Sequence, residues 1–109
     1  MRVLILGGTQ EAYELAERLA EIERLEIISS LAGRTREPRQ PRGAVRSGGF
    51  GGPEGLARYL RDEGIRFVVN ATHPFADQIS AHAVEAAAAS GTELLPPPRP
   101  HGQIGRAHV

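Results

Sequence analysis

An α/β domain on a parallel sheet, with helices on both faces, is the fold class this sequence predicts, and three observations predict it. Short runs rich in Ile, Leu and Val alternate with longer segments of helical period. The runs are apolar on both sides, as strands covered on both faces are. Three of their ends are glycine-rich or polar, where a strand hands over to a turn.

Arg2–Leu6 (RVLIL) is a buried strand that stops at Gly7-Gly8. From Gln10 the period changes. Ala12, Leu15, Ala16, Leu19 and Ile22 share one helical face, and Glu14, Glu17, Arg18 and Glu21 the other. Thr9 suits the N-cap. Glu26–Leu31 (EIISSL) is a second strand, ended by Ala32-Gly33. Gly33 to Gly55 has no period, and a short strand is placed within it at Ala44–Ser47. Pro53 fits a first helical turn. Leu56, Tyr59 and Leu60 form that helix's apolar stripe, and Gly64 stops it. Arg66–Asn70 (RFVVN) is another buried strand. Thr72-His73-Pro74 opens a long helix, with Pro74 tolerated at its first position. Phe75, Ile79, Ala83, Ala86 and Ala87 share its inner face, and His82 is read as structural. Gly91 ends the helix and Glu93–Leu95 begins a last strand. With right-handed crossovers, these elements make a Rossmann-like, three-layer domain over residues 1–95. Pro96, Pro97, Pro98 and Pro100 end regular structure, and 96–109 is read as an irregular tail. Its last six residues, Ile104 to Val109, resemble a translated sequencing adapter, so a truncated, N-terminal portion of a longer protein is expected.

Composition removes several function classes. The 109 residues carry 13 basic and 13 acidic side chains, for a formal net charge of zero. Every basic residue is Arg, and no Lys occurs. Balanced charge argues against a general nucleic-acid binder and against a polybasic membrane binder. No Cys is present, which excludes disulfides, thiol catalysis and Cys-ligated metals. No apolar run is long enough to cross a membrane, and no leader pattern opens the chain, so a cytoplasmic protein is expected.

Ligands of such sheets sit at the carboxyl ends of the strands. After the first strand, Gly7-Gly8-Thr9-Gln10-Glu11-Ala12 reads as a variant of G-x-G-x-x-G. Gly7 serves the tight turn and Ala12 the close packing of helix on strand. Thr9 replaces the second Gly and could donate its hydroxyl to a phosphate beside the helix N–H groups. The alternative is a tight turn that binds nothing. At the end of the second strand, where a dinucleotide fold selective for NAD places an acid, Arg34 and Thr35 stand instead. A guanidinium and a hydroxyl there suit a 2′-phosphate and favour NADPH over NADH; a solvated loop arginine is the alternative. Gly48-Gly49-Phe50-Gly51-Gly52 lets backbone come close to a ligand, with Phe50 free to stack on a flat ring, unless the segment is a plain connector. Thr72 and His73 face the same cleft, His73 as donor or proton carrier, or as a capping residue. Metal ligation is not expected, because two His without an acid partner make no site.

Four segments carry a family resemblance: Leu4 to Ala12 (LILGGTQEA), Ser30 to Thr35 (SLAGRT), Arg46 to Gly52 (RSGGFGG) with Gly55-Leu56, and Asn70 to Ala76 (NATHPFA) with Ile79-Ser80. Together, in this order, they resemble the precorrin-6A reductase family (CobK/CbiJ), over roughly residues 2 to 95. The resemblance implies an NADPH-dependent reduction of one double bond of precorrin-6A, or of its cobalt form, in cobalamin biosynthesis. It implies two Rossmann-like domains with NADPH and the tetrapyrrole between them. Gly8, Thr9, Arg34 and Thr35 would hold the cofactor phosphates. Gly48, Gly49, Phe50, Thr72 and His73 would line the cleft near nicotinamide and substrate. The five arginines from Arg34 to Arg46 suit a substrate edged with carboxylates. Where the family more often has Asp, this chain has Asn70. No catalytic acid is assigned. Two other classes remain. Another NADP-binding oxidoreductase, such as a short-chain reductase, would need a Tyr-x-x-x-Lys pair, and there is no Lys. A non-catalytic dinucleotide-sensing module would bind the cofactor without a macrocycle cleft.

Overall fold

The computed structural model describes residues 1–7, 9–31, 43–72 and 77–95. Strands β1 (Arg2–Leu6), β2 (Glu26–Leu31), β3 (Ala44–Ser47), β4 (Ile65–Asn70) and β5 (Glu93–Leu95) form one sheet in the order β3-β2-β1-β4-β5. All four pairings are parallel. Helices α1 (Gln10–Ala20), α2 (Gly52–Asp62) and α3 (Asp77–Ser90) supply the other layers.

The central strand explains the layering. Side chains of a strand alternate between faces, and β1 buries both sets. Val3 and Ile5 pack with Ala12 and Ala16 of α1 and with Ile27 and Val69. Leu4 and Leu6 pack on the opposite face with Leu56, Leu60, Val68, Ala83 and Ala86, from α2, β4 and α3. A strand buried on both sides has to read as a continuous apolar run, and VLIL does.

The helices begin and end where local chemistry directs. Thr9 caps α1, its hydroxyl oxygen accepting from the Ala12 amide. The helix stops at Glu21, so Ile22 lies beyond it and stays exposed, although helical period assigns it to the buried face. Tyr13 is buried in its place. Pro53 sits in the first turn of α2, and Gly64, at φ 64°, turns the chain into β4. β4 starts at Ile65, one residue before the expected Arg66. Helix α3 presents Ala83, Ala86 and Ala87 inward, and Gly91, at φ 75°, follows its end. Its expected opening at residues 72–74, the inward place of Phe75 and the 96–109 tail fall largely or wholly outside the described residues.

Strand register is what assembles a site. Leu6 pairs with Ser30 and with Asn70, and Ser30 pairs with Arg46. The carboxyl ends of four strands therefore stand side by side along one edge.

Candidate functional site at the carboxyl edge of the sheet

The β1–α1 turn is the tightest part of this edge. Gly7 is buried, and its amide donates to the Ser30 carbonyl at 2.9 Å. A β-carbon there would come 3.3 Å from the Ala12 β-carbon, closer than such atoms normally pack. Gly7 and Ala12 thus work as a pair of small residues that brings the start of α1 down onto the strand ends. Thr9 ties the turn sideways. Its hydroxyl donates to the Ala71 carbonyl at 2.7 Å, while the same oxygen caps α1. The hydroxyl proton expected to reach a phosphate is therefore held by Ala71. What Thr9 leaves toward a ligand is the helix N-terminus it orders.

The end of β4 is held in the same way. The Ala71 amide donates to the Leu6 carbonyl at 2.9 Å, which prolongs the β1–β4 ladder beyond the strand. Asn70 uses both ends of its amide. Its Oδ1 accepts from the Thr72 hydroxyl at 2.6 Å and the Thr72 N–H at 3.3 Å. Its Nδ2 donates to Ser80 Oγ of α3 at 2.9 Å. A carboxylate could take the Thr72 donors, but the bond to Ser80 would have to reverse, with the hydroxyl donating. Asn at this position thus joins strand end, turn and helix into one network.

The β3–α2 segment forms the third wall. The Gly48 amide donates to the Leu31 carbonyl at 3.2 Å. Arg46 donates from Nη1 to Ser30 Oγ at 3.2 Å and to the Gly48 carbonyl at 3.3 Å. Its Nη2 donates to the Gly49 carbonyl at 3.3 Å. The guanidinium carbon also lies 3.9 Å from the Phe50 ring centre, within cation–π range. Phe50 meets Tyr59 of α2 edge-on, with centroids 5.2 Å apart. Phe50 thus already has an aromatic neighbour and a cation on its ring, and its observed role is to pin the loop to α2. Burial pushes the Tyr59 phenol up, while Arg46 acts in the opposite direction. Between this loop and α3 lies a cleft of about 250 Å³, lined by Gly49, Phe50, Leu56, Ile79 and His82 among others. His82, read as structural from its place in the helix, is half-buried against it.

Of the sequence-predicted residues, Gly7, Thr9 and Thr72 gather at the β1 and β4 ends, and Gly48, Gly49 and Phe50 on the loop from β3. Gly8, Arg34, Thr35 and His73 lie outside the described residues. Three residues quoted from sequence have roles at this edge that were not read there: Arg46 on the glycine loop, Asn70 as an amide clamp, and Ser80 as its partner. Arg46 had one available signal, being the last long side chain before the glycines, but its pairing with Ser30 emerges only from register. No group of three metal-ligating side chains occurs among the described residues. No described helix is long and apolar enough to cross a membrane. A larger hollow of about 450 Å³ opens at the opposite, amino end of the strands, beside Arg2 and Glu63. There the Arg2 guanidinium is already paired with Glu26 at 3.0 Å and Glu63 at 3.1 Å.

A family model described as precorrin-6x reductase CbiJ/CobK matches residues 2–108. A precorrin-6A reductase from a Sinorhizobium species is 54% identical over 99 residues, covering 91% of this chain and 38% of that protein. One from Mycobacterium tuberculosis is 51% identical over 108 residues, covering 99% of this chain and 43% of its own length. The chain thus spans about two-fifths of the length of these curated relatives. Among solved structures, a CobK precorrin-6A reductase superposes with a TM-score of 0.82 at 49% identity, over 88% of this chain and 38% of that one. The NADPH complex of leucoanthocyanidin reductase from Vitis vinifera shares the fold, with a TM-score of 0.70 at 23% identity, over 88% of this chain and 35% of that one.

Proposed function

The chain belongs to the precorrin-6x reductase family, and on that premise we propose that it forms the NADPH-binding portion of a cytoplasmic enzyme of cobalamin biosynthesis. The reaction is reduction of one ring double bond of precorrin-6A or its cobalt form. The observation that supports the dinucleotide reading best is the β1–α1 turn. Gly7 and Ala12 pack too closely for a larger pair, and this keeps an ordered helix N-terminus at the central strand end. Partial positive charge and free amides at that point suit a pyrophosphate. The described residues fit the group: small at Gly7, where a β-carbon would crowd Ala12, and glycine at Gly48 and Gly49, where a β-carbon would meet open space.

In this reading Gly7, Gly8 and Thr9 form the phosphate turn, and Arg34 and Thr35 receive the 2′-phosphate. Gly48, Gly49, Phe50, Thr72 and His73 line the cleft toward the nicotinamide and the tetrapyrrole. NADPH, when bound, supplies the hydride. The protein's own part is orientation and exclusion of water. The ties among Gly7, Ser30, Thr9, Ala71 and Asn70 hold the strand ends in fixed relation, so a ligand meets a preformed edge. No side chain is assigned as proton donor.

Calorimetric titration of the folded chain with NADPH and then NADH tests this. Tighter binding of NADPH is expected, with the preference lost in Arg34→Ala. Equal affinity for both would remove the 2′-phosphate assignment, and no binding by a folded chain would remove the dinucleotide reading.

A further inference from the structure

Arg46 is held at this edge by three side-chain hydrogen bonds and two aromatic rings, yet it has no carboxylate partner among the described residues. All its described partners are neutral: Ser30 Oγ, the Gly48 and Gly49 carbonyls, and the Phe50 and Tyr59 rings. The two carbonyls belong to successive peptide groups. No cis bond is present among the described residues. In a trans peptide, the carbonyl and the N–H of the next residue point in opposite directions. Drawing both carbonyls toward one guanidinium therefore turns the Gly49 and Phe50 amides away from it. Neither amide donates to any described residue. A run of glycines has little intrinsic reason to hold such an arrangement, because glycine keeps the most backbone freedom of any residue. Gly48, at φ 90°, takes a conformation other residues rarely adopt.

We propose that Arg46 is a positioning residue for the dinucleotide site: its hydrogen bonds to the Gly48 and Gly49 carbonyls fix the glycine loop so that the Gly49 and Phe50 amides are presented to the ligand. This rests on the dinucleotide reading above. The stack on Phe50 and the bond to Ser30 anchor the guanidinium to the sheet and to α2, so the loop is ordered before a ligand arrives. Binding then escapes the cost of ordering that loop. The action is on a part of the site shared by both dinucleotides, which separates it from a direct contact with the 2′-phosphate.

The test is titration of the full chain with NADPH and with NADH, in wild type, Arg46→Met and Arg46→Lys, with thermal melts alongside. Arg46→Met should weaken both dinucleotides alike, by roughly tenfold or more, in a chain that still folds with its melt lowered by several degrees. Millimolar methylguanidine should restore part of that affinity, which a purely structural loss would not allow. Loss for NADPH alone would overturn positioning in favour of a phosphate contact. Unchanged affinity for both would overturn it outright. Should Arg46→Met not fold, Arg46→Lys carries the test, since it keeps the charge and much of the stem over Phe50. A uniform but smaller loss is expected there, and unchanged affinity would refute the proposal. If the folded wild type binds neither dinucleotide, the reading of the site fails first and this inference with it.

Discussion

Gly55→Ala should destabilise the protein, against the sign that helix propensity gives. Gly55 lies inside α2, where alanine is ordinarily better than glycine by ~0.5–1 kcal/mol. Here the added β-carbon would fall on the Phe50 carbonyl, inside contact distance of its oxygen and 2.8 Å from its carbon. That atom is backbone, so it cannot swing aside as a side-chain tip can. Relief requires the carbonyl to retreat by roughly 1 Å, and the segment that carries it is the one Arg46 and Tyr59 hold. Losing two hydrogen bonds of ~0.5–1.5 kcal/mol each and the Phe50–Tyr59 pair, at ~0.5–1.5 kcal/mol, outweighs the propensity gain. The expected net cost is about 1–3 kcal/mol, a fall in Tm of roughly 5–15 °C for a domain of this size. Thermal and urea unfolding followed by circular dichroism measure it. A variant that melts at or above wild type would show that the loop does not rest on the helix as described, and the account of Arg46 would lose its anchor.

Other substitutions probe the remaining ties. Thr9→Ala removes both the cap of α1 and the bond to the Ala71 carbonyl, and should cost about 1–2 kcal/mol in urea unfolding, whereas Thr9→Ser should keep most of that stability. Ser29 Oγ is a buried side-chain oxygen with no partner among the described residues; Ser29→Ala should therefore be neutral or stabilising by up to ~1 kcal/mol, and a loss of more than that would reveal a bond to the oxygen. The Tyr59 phenol is raised chiefly by burial, so the folded state favours the neutral form. Its contribution is whole below the unfolded tyrosine pKa of about 10 and disappears as pH rises through the folded value. Stability of wild type should fall relative to Tyr59→Phe on that alkaline side, and an ultraviolet titration should lose its uppermost tyrosine step in the variant.

Strand and helix identity was legible because the sheet is parallel and covered. A run such as VLIL has no polar face to expose, so it reads as a strand buried on both sides, and the intervening periods have room only for helices. Even the short edge strand Ala44–Ser47 was placed, because flanking glycines delimit it. Ile22 was misplaced for a local reason: period continues past Ala20, but the helix does not. Within the site, residue types at strand ends were readable, and their present partners were not. Thr9 was read as a phosphate donor because its neighbours in sequence are glycines. The carbonyl it serves is 62 residues away, on the end of β4. Phe50 looked free to stack because the loop around it is glycine, and the ring it meets lies on the following helix.

The same separation explains why the partners of Arg46 were not legible and why they matter. In sequence it is one of five arginines in a stretch without period, set apart only by standing just before the glycines. Parallel pairing sets it directly beside Ser30, and the short span from Arg46 to Gly49 lets one side chain reach back to two carbonyls of its own loop. A glycine-rich segment can approach a ligand closely only because it lacks side chains, and for that reason it cannot order itself. Some residue outside the glycines has to supply the order. At this edge the candidate is a cation with no acid partner among the described residues, anchored on an aromatic ring and a strand hydroxyl, with the Gly49 and Phe50 amides turned away from it. The open backbone of the loop and the rigidity of Arg46 are thus two requirements of one arrangement, and substitution of either should be felt at the other.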